Sequence, residues 1–262
     1  MSSHHYPPID LGHLRDVARL AGEAILEIYA RDFEVEFKAD ESPLTEADKR
    51  SNDVIVAALE ERYPDIPIIS EEIRALDYSE RRHWQTCWLI DPLDGTKEFV
   101  KKNGEFTVNI ALVHAGEPVV GVVYQPVTGA MYSAEKGQGA FLEMPDADPV
   151  RLENTKHYST EQEVTVVASR SHLSQEVEDF VAELREQGKE VEFQSAGSSL
   201  KLCLVAEGKA TVYPRFAPTM EWDTGAAHAI VLEAGKKVLN RETGEALVYN
   251  KENLLNPWFI VE

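Results

Sequence analysis

Trp88-Leu89-Ile90-Asp91-Pro92-Leu93-Asp94-Gly95-Thr96-Lys97-Glu98-Phe99 is the stretch that decides how this chain is read. An apolar strand ends in two carboxylates three residues apart, with a proline between them and a glycine behind. Pro92 stiffens the backbone and Gly95 tolerates a φ that other residues resist. The chain is therefore expected to turn sharply after Ile90, with Asp91 and Asp94 aimed at one spot beyond the strand end. Two such carboxylates repel each other unless they hold a cation or share a proton. Oxygen-only ligands suit hard cations, chiefly Mg²⁺ or Mn²⁺. Thr96 adds a hydroxyl able to orient a water. The plainer alternative is a turn and nothing more, because Asp-Pro and Asp-Gly are common turn formers.

The chain has 262 residues, enough for one large domain or two modest ones sharing an interface. Hydrophobic residues make up 43% and charged residues 27%, the balance of a globular enzyme. No apolar run approaches the ~20 residues of a membrane span. Met1-Ser2-Ser3-His4-His5 has neither the basic start nor the apolar core of a signal peptide. Cys87 and Cys203 both fall in apolar stretches and read as buried thiols, so a reduced, cytoplasmic setting is expected. Forty-six acidic against 26 basic residues give a net charge of −20. That field disfavours nucleic-acid polymers and anionic lipid. A phosphorylated metabolite would be repelled too, unless bound metal and a few placed cations reverse the sign locally.

Asp10 through Tyr29 carries the three-and-four spacing of an amphipathic helix in Leu14, Val17, Ala18, Ala21, Ile25 and Ile28. Phe33 to Phe37 alternates like a strand. Thr45 is a reasonable N-cap for a second helix, with Asp48 three residues on, ending before Pro64. Ile66 to Ile69 reads as a short strand closing at Ser70-Glu71-Glu72. Thr107–His114, Pro118–Gln125, Ala130–Ala134 and Gly139–Glu143 read as an antiparallel meander. Met144 to Gln162 reads as a polar linker. Beyond it strands and helices alternate: strands at Val164–Ala168, Val191–Phe193 and Ala210–Tyr213, helices at Ser174–Gln187, Ser198–Glu207 and Asp223–Ala234. The expected class is α/β, with residues 1–155 forming an α+β unit and 156–262 a smaller α/β unit.

Acidic and hydroxyl residues thus sit at the ends of several elements: Asp48, Glu71, Asp91, Asp94, Thr96 and Asp223. Taken singly, Asp48 and Asp223 are explained as helix-end residues and Glu71 as surface charge. If the ends converge, they form a carboxylate cage for two or three divalent ions. Pro43-Leu44-Thr45-Glu46-Ala47-Asp48, Ile69-Ser70-Glu71-Glu72, Asp91-Pro92-Leu93-Asp94-Gly95-Thr96 and Trp222-Asp223-Thr224-Gly225-Ala226-Ala227 resemble the signatures of the inositol-monophosphatase superfamily. The motifs keep the family's order along essentially the whole chain. One departure is Thr224-Gly225-Ala226-Ala227, which permutes the more usual Ala-Ala-Gly order. Lys97-Glu98-Phe99, Gly197-Ser198-Ser199-Leu200-Lys201 and Tyr213-Pro214-Arg215-Phe216 are similar to the bisphosphate-nucleotidase branch.

The resemblance implies a layered αβαβα fold and a lithium-sensitive, Mg²⁺-dependent phosphatase. Its expected reaction is removal of the 3′-phosphate of adenosine 3′,5′-bisphosphate to give AMP, with the sulfated nucleotide as a further substrate. The alternative within the superfamily is an inositol-phosphate or sugar-phosphate phosphatase using the same cage. By the resemblance, Glu71, Asp91, Asp94, Asp223 and the Leu93 carbonyl ligate two or three Mg²⁺ ions, with Mn²⁺ as substitute. Asp48 and Thr96 position the attacking water, with Glu71 counted beside them. Gly95 and Thr96 N–H groups hold the scissile phosphate. His172, Ser198, Lys201 and Arg215 contact the nucleotide, and an exposed-loop histidine or a solvated lysine is the plain alternative for His172 and Lys201. The implied partner is a small bisphosphate nucleotide handled by a monomer or homodimer, in the cytoplasm or peripheral on the inner membrane's cytoplasmic face.

Overall fold

The computed structural model describes residues 6–32, 35–37, 43–73, 76–168 and 174–262. Two helices begin the chain. Asp10 caps α1 (Leu11–Tyr29) by accepting from His13 N–H, and Thr45 caps α2 (Glu46–Arg62). Between them β1 (Glu36–Phe37) pairs with β2 (Pro43–Leu44), so the strand expected over Phe33–Phe37 is short, and Phe33 lies outside the described residues. Next come β3 (Ile68–Ser70), a helical turn α3 (Tyr78–Arg81), β4 (Thr86–Asp94) and the short helix α4 (Thr96–Val100). The meander follows as β5 (Thr107–His114), β6 (Glu117–Gln125), β7 (Ala130–Glu135), β8 (Gly139–Glu143) and β9 (Val150–Leu152). β3 to β9 form a seven-stranded sheet in chain order, antiparallel apart from the β3–β4 pair.

The strands of this sheet are apolar on both faces because both are covered. Trp88 and Ile90 of β4, with Val108, Ile110 and Leu112 of β5, pack under α1 and α2. Leu89, Ala111 and Val113 face the other way, toward α6 (Leu200–Ala206) and α7 (Glu221–Glu233). α7 comes very close to the sheet: a Cβ on Gly121 would stand 2.1 Å from the Ala226 carbonyl oxygen. Beyond α6 and α7 lies a second layer of strands. β10 (Glu163–Ala168) runs parallel to β11 (Glu190–Ser195), and β12 (Tyr213–Arg215) pairs through β14 (Phe259–Val261) with β13 (Val238–Asn240). Helix α5 (Gln175–Glu186) closes the stack with Val177, Phe180, Val181 and Leu184 against Val164, Val166 and Val212. The order is helix, sheet, helix, sheet, helix, which is the expected αβαβα layering.

Four details differ from the sequence expectation. β4 does not end at Ile90: its ladder to β5 continues at Asp91 opposite Asn109 and resumes at Asp94 opposite Thr107 across a bulge. Pro92 and Leu93 are the residues looped out, and the bulge is fastened by Leu93 N–H to Asp91 Oδ1 (3.0 Å) and Ser51 hydroxyl to the Pro92 carbonyl (2.7 Å). The sharp turn comes at Gly95 instead, whose φ of 94° suits glycine. Within the segment expected to be a linker, Val150–Leu152 is an edge strand, held by the buried Leu152. The helix expected from Ser198 begins at Leu200, because Ser198 has a left-handed φ of 56°. The helix expected from Asp223 begins at Glu221, which makes Asp223 its third residue.

Candidate active site

The ends of β3, β4, α4, α6 and α7 meet around a cleft of about 520 Å³. Glu71, Asp91, Leu93, Asp94, Gly95, Thr96, Ser198, Lys201 and Asp223 all line it. Glu71 follows β3 directly, and its N–H donates to the Ile90 carbonyl (3.2 Å), fastening it beside β4. Asp91 is 1% exposed, and burial, then Glu71, Asp94, Asp223 and Asp48, holds its carboxyl well above the usual carboxylate range. Asp223 sits in the first turn of α7, where its Oδ2 accepts from Met220 N–H (2.9 Å). Burial and the charges of Asp94 and Glu71 push it up to about 8, against the pull of that N–H and of Arg215.

Asp48 is the third residue of α2 and is almost fully buried. Its Oδ2 accepts from both the N–H and the hydroxyl of Thr45 (2.7 Å each), and its Oδ1 accepts from the Thr96 hydroxyl (3.1 Å). Burial raises its pKa, and those hydrogen bonds oppose the rise. Thr96 has a second, longer contact to the Leu93 carbonyl (3.3 Å). A helix cap is thus also the partner of the cleft's hydroxyl.

Lys201 is 9% exposed, not solvated on a helix surface. Its Nζ donates to the Ser198 carbonyl (2.7 Å), and burial pulls the ammonium down to about 8. Arg215 does not line the main cleft. It faces a smaller cavity of about 90 Å³ that shares Asp94, Ser198, Lys201 and Asp223 with it. Its guanidinium donates to the Pro218 carbonyl (3.0 Å), while the buried Nε has no hydrogen-bond partner among the described residues. His172 lies outside the described residues.

Three features were not read from the sequence. Asn109 and Thr107 of β5, together with Ser199, form a buried polar group behind Asp94. The available signal was two polar residues at i and i+2 in an otherwise apolar strand. Glu221 is fully buried and accepts from Asn250 N–H (2.5 Å), Lys251 N–H (3.1 Å) and Lys251 Nζ, bracing the start of α7 beside Asp223. Glu105 accepts from Gly197 N–H (2.9 Å) under the Gly197-Ser198-Ser199 turn.

The donor set is all oxygen and strongly anionic, which fits Mg²⁺ or Mn²⁺ and not a soft metal. Among the described residues no three His, Cys, Asp or Glu side chains stand in position to hold one ion together. The elevated Asp223 pKa gives a measurable consequence. A carboxyl at about 8 in the folded state and about 3.9 unfolded adds stability that is whole below the unfolded value and is lost as pH rises through about 8. A divalent cation held by these carboxyls would displace that proton. The rise in Tm on adding Mg²⁺ should therefore be small at acid pH and grow into the alkaline range, followed by differential scanning fluorimetry. An increment independent of pH would rule out these carboxyls as the binding groups.

The chain belongs to the inositol monophosphatase family, whose description matches residues 11–258. Within that family it is 45% identical over 254 residues to the 3′(2′),5′-bisphosphate nucleotidase CysQ of Escherichia coli O157:H7, covering 96% of this chain and 98% of the relative. The protein of the same name from Salmonella typhimurium is 46% identical over 248 residues, covering 94% and 96%. The crystal structure of CysQ from Bacteroides thetaiotaomicron superposes with a TM-score of 0.83 at 48% identity, covering 96% of both chains.

Proposed function

We propose that the protein removes the 3′-phosphate of adenosine 3′,5′-bisphosphate, yielding AMP and phosphate, and that it acts likewise on the sulfated nucleotide in sulfur assimilation. The observation that carries this reading is that the cleft holds cations beside its carboxylates. Glu71, Asp91, Asp94 and Asp223 line it together with Lys201, and Arg215 faces an adjoining cavity that shares Asp94, Lys201 and Asp223 with it. A substrate with a second phosphate would use those cations. Inositol 1-phosphate, with one phosphate, would leave them unused. The similarity to 3′(2′),5′-bisphosphate nucleotidases supports the same choice.

Held by Glu71, Asp91, Asp94, Asp223 and the Leu93 carbonyl, Mg²⁺ would supply Lewis-acid charge neutralisation and an acidified water. The chain's own groups do the rest. The Thr96 hydroxyl donates to Asp48 Oδ1, which leaves its oxygen lone pairs to accept from the attacking water. As the water loses its proton to Thr96, Thr96 passes its own to Asp48. Burial makes Asp48 a stronger base than a surface aspartate. The water oxygen bonds to phosphorus as the bond to the 3′ oxygen breaks, and that oxygen takes a proton from solvent to leave as the 3′-hydroxyl of AMP. Gly95 and Thr96 N–H groups hold the scissile phosphate at the start of α4. Lys201, Arg215 and Ser198 grip the 5′-phosphate, and Pro218, Met220 and Leu255 offer the base an apolar wall. His172 is assigned to the nucleotide on the sequence motif alone.

No helix among the described residues is long and apolar enough to cross a membrane. We place the protein in the cytoplasm as a monomer or homodimer. The deciding experiment is phosphate release with Mg²⁺ across adenosine 3′,5′-bisphosphate, adenosine 3′-monophosphate, inositol 1-phosphate and fructose 1,6-bisphosphate. The first should give the highest kcat/KM. Preference for inositol 1-phosphate or fructose 1,6-bisphosphate would replace this reading with the broader phosphatase.

A further inference from the structure

The Asp94 carboxylate is gripped from behind by one oxygen only. Its Oδ2 accepts from Ser199 N–H (2.6 Å), the Ser198 hydroxyl (2.8 Å) and the Asn109 side-chain amide (3.3 Å). Asn109 can point only one way, because Asp94 accepts and so must face the nitrogen. The Asn109 carbonyl oxygen is then left to accept from the hydroxyls of Ser199 (2.9 Å) and Thr107 (3.1 Å). Thr107 also contacts the hydroxyls of Ser198 and Ser199. Thr107, Asn109 and Ser199 are each no more than 1% exposed.

A buried polar group of this kind is costly unless complete, and the sheet does not need it. Ala111 and Val113, on the same face of the strand, pack as plain hydrocarbon. What the group achieves is a division of labour between the two oxygens of one carboxylate. Oδ2 is committed to protein donors, and Oδ1 has none of those bonds.

We infer that Asn109 is a positioning residue for the cation site, fixing Asp94 with Oδ1 available to the metal. Thr107 and Ser199 orient Asn109. Bonds behind a ligating side chain tune affinity by setting its orientation before the ion arrives. The Ser198 carbonyl also accepts from Lys201, so the dipeptide that restrains Asp94 holds the cleft's lysine as well.

The inference rests on Asp94 being a cation ligand, and the test separates the two ideas. Free Mn²⁺ is followed by electron paramagnetic resonance during titration of the protein, without nucleotide. Asn109→Leu should weaken Mn²⁺ binding on the order of tenfold while circular dichroism stays that of the wild type. Thr107→Val, which keeps shape and removes one hydroxyl, should weaken it by a smaller factor. It serves alone if Asn109→Leu fails to fold. Affinity in the folded variants equal to wild type would overturn the role of Asn109. Asp94→Asn, titrated alongside, should lose affinity further; if it binds Mn²⁺ as wild type does, the ligand assignment itself falls, whatever Asn109 does.

Discussion

Asp91→Asn is expected to fold normally and to lower kcat by a factor on the order of 10³ or more at saturating Mg²⁺. Asp91 is buried beside Glu71, Asp94 and Asp223, so burial and those carboxylates oppose its ionised form, which the proposed cation would support. An asparagine keeps the shape and can still accept from Leu93 N–H, as Asp91 Oδ1 does at 3.0 Å. What it removes is charge. The same substitution should leave the metal-free protein at least as thermostable as wild type at pH 8, because it deletes an ionisation that burial penalises. Loss of activity without loss of stability separates a ligand from a core residue. Near-normal turnover in the folded variant would end the case for the cage.

Arg215→Ala addresses the cavity adjoining the cleft. Arg215 donates to the Pro218 carbonyl and bonds the Tyr213 side chain, while its buried Nε has no hydrogen-bond partner among the described residues. A charge-assisted contact to the 5′-phosphate would be present in both ground and transition state, so its loss should appear chiefly in KM. We expect kcat/KM for adenosine 3′,5′-bisphosphate to fall by about 2–4 kcal/mol. Adenosine 3′-monophosphate, which has no 5′-phosphate, should be hydrolysed nearly as before. An equal loss on both substrates would show that Arg215 acts on the fold or the chemistry and not on the second phosphate.

The parts of the site carried by short local signals were legible in the sequence. Asp91, Asp94 and Thr96 sit within six residues, and a strand-ending carboxylate pair announces itself whatever lies elsewhere. The helices over Leu11–Tyr29 and Glu46–Arg62 were legible because one face of each is buried and the spacing records it. What escaped depends on partners far along the chain. The bulge at Pro92-Leu93 forms because β5 keeps pairing past it, and a single strand's sequence cannot express that. β13 and β14 are three residues each, too short for any period, and exist by pairing with one another. Lys201 was read as a nucleotide contact with a solvated lysine as the alternative, and its burial on α6 was not legible because it comes from packing between two sheets. Asn109 was not singled out in the sequence, because its partner Ser199 lies 90 residues further along the chain.

The carboxylates of the cleft lie between residues 71 and 223, and the last of them rides on α7, whose backbone presses on Gly121. No local segment contains the site. Contacts this distant in sequence are the slow, late ones in folding, since a long loop must close before they give any return. Interactions absent from the transition state slow unfolding without speeding folding. A cation seated there, as proposed, would therefore act as a brake on unfolding, joining α7 to the ends of β3 and β4.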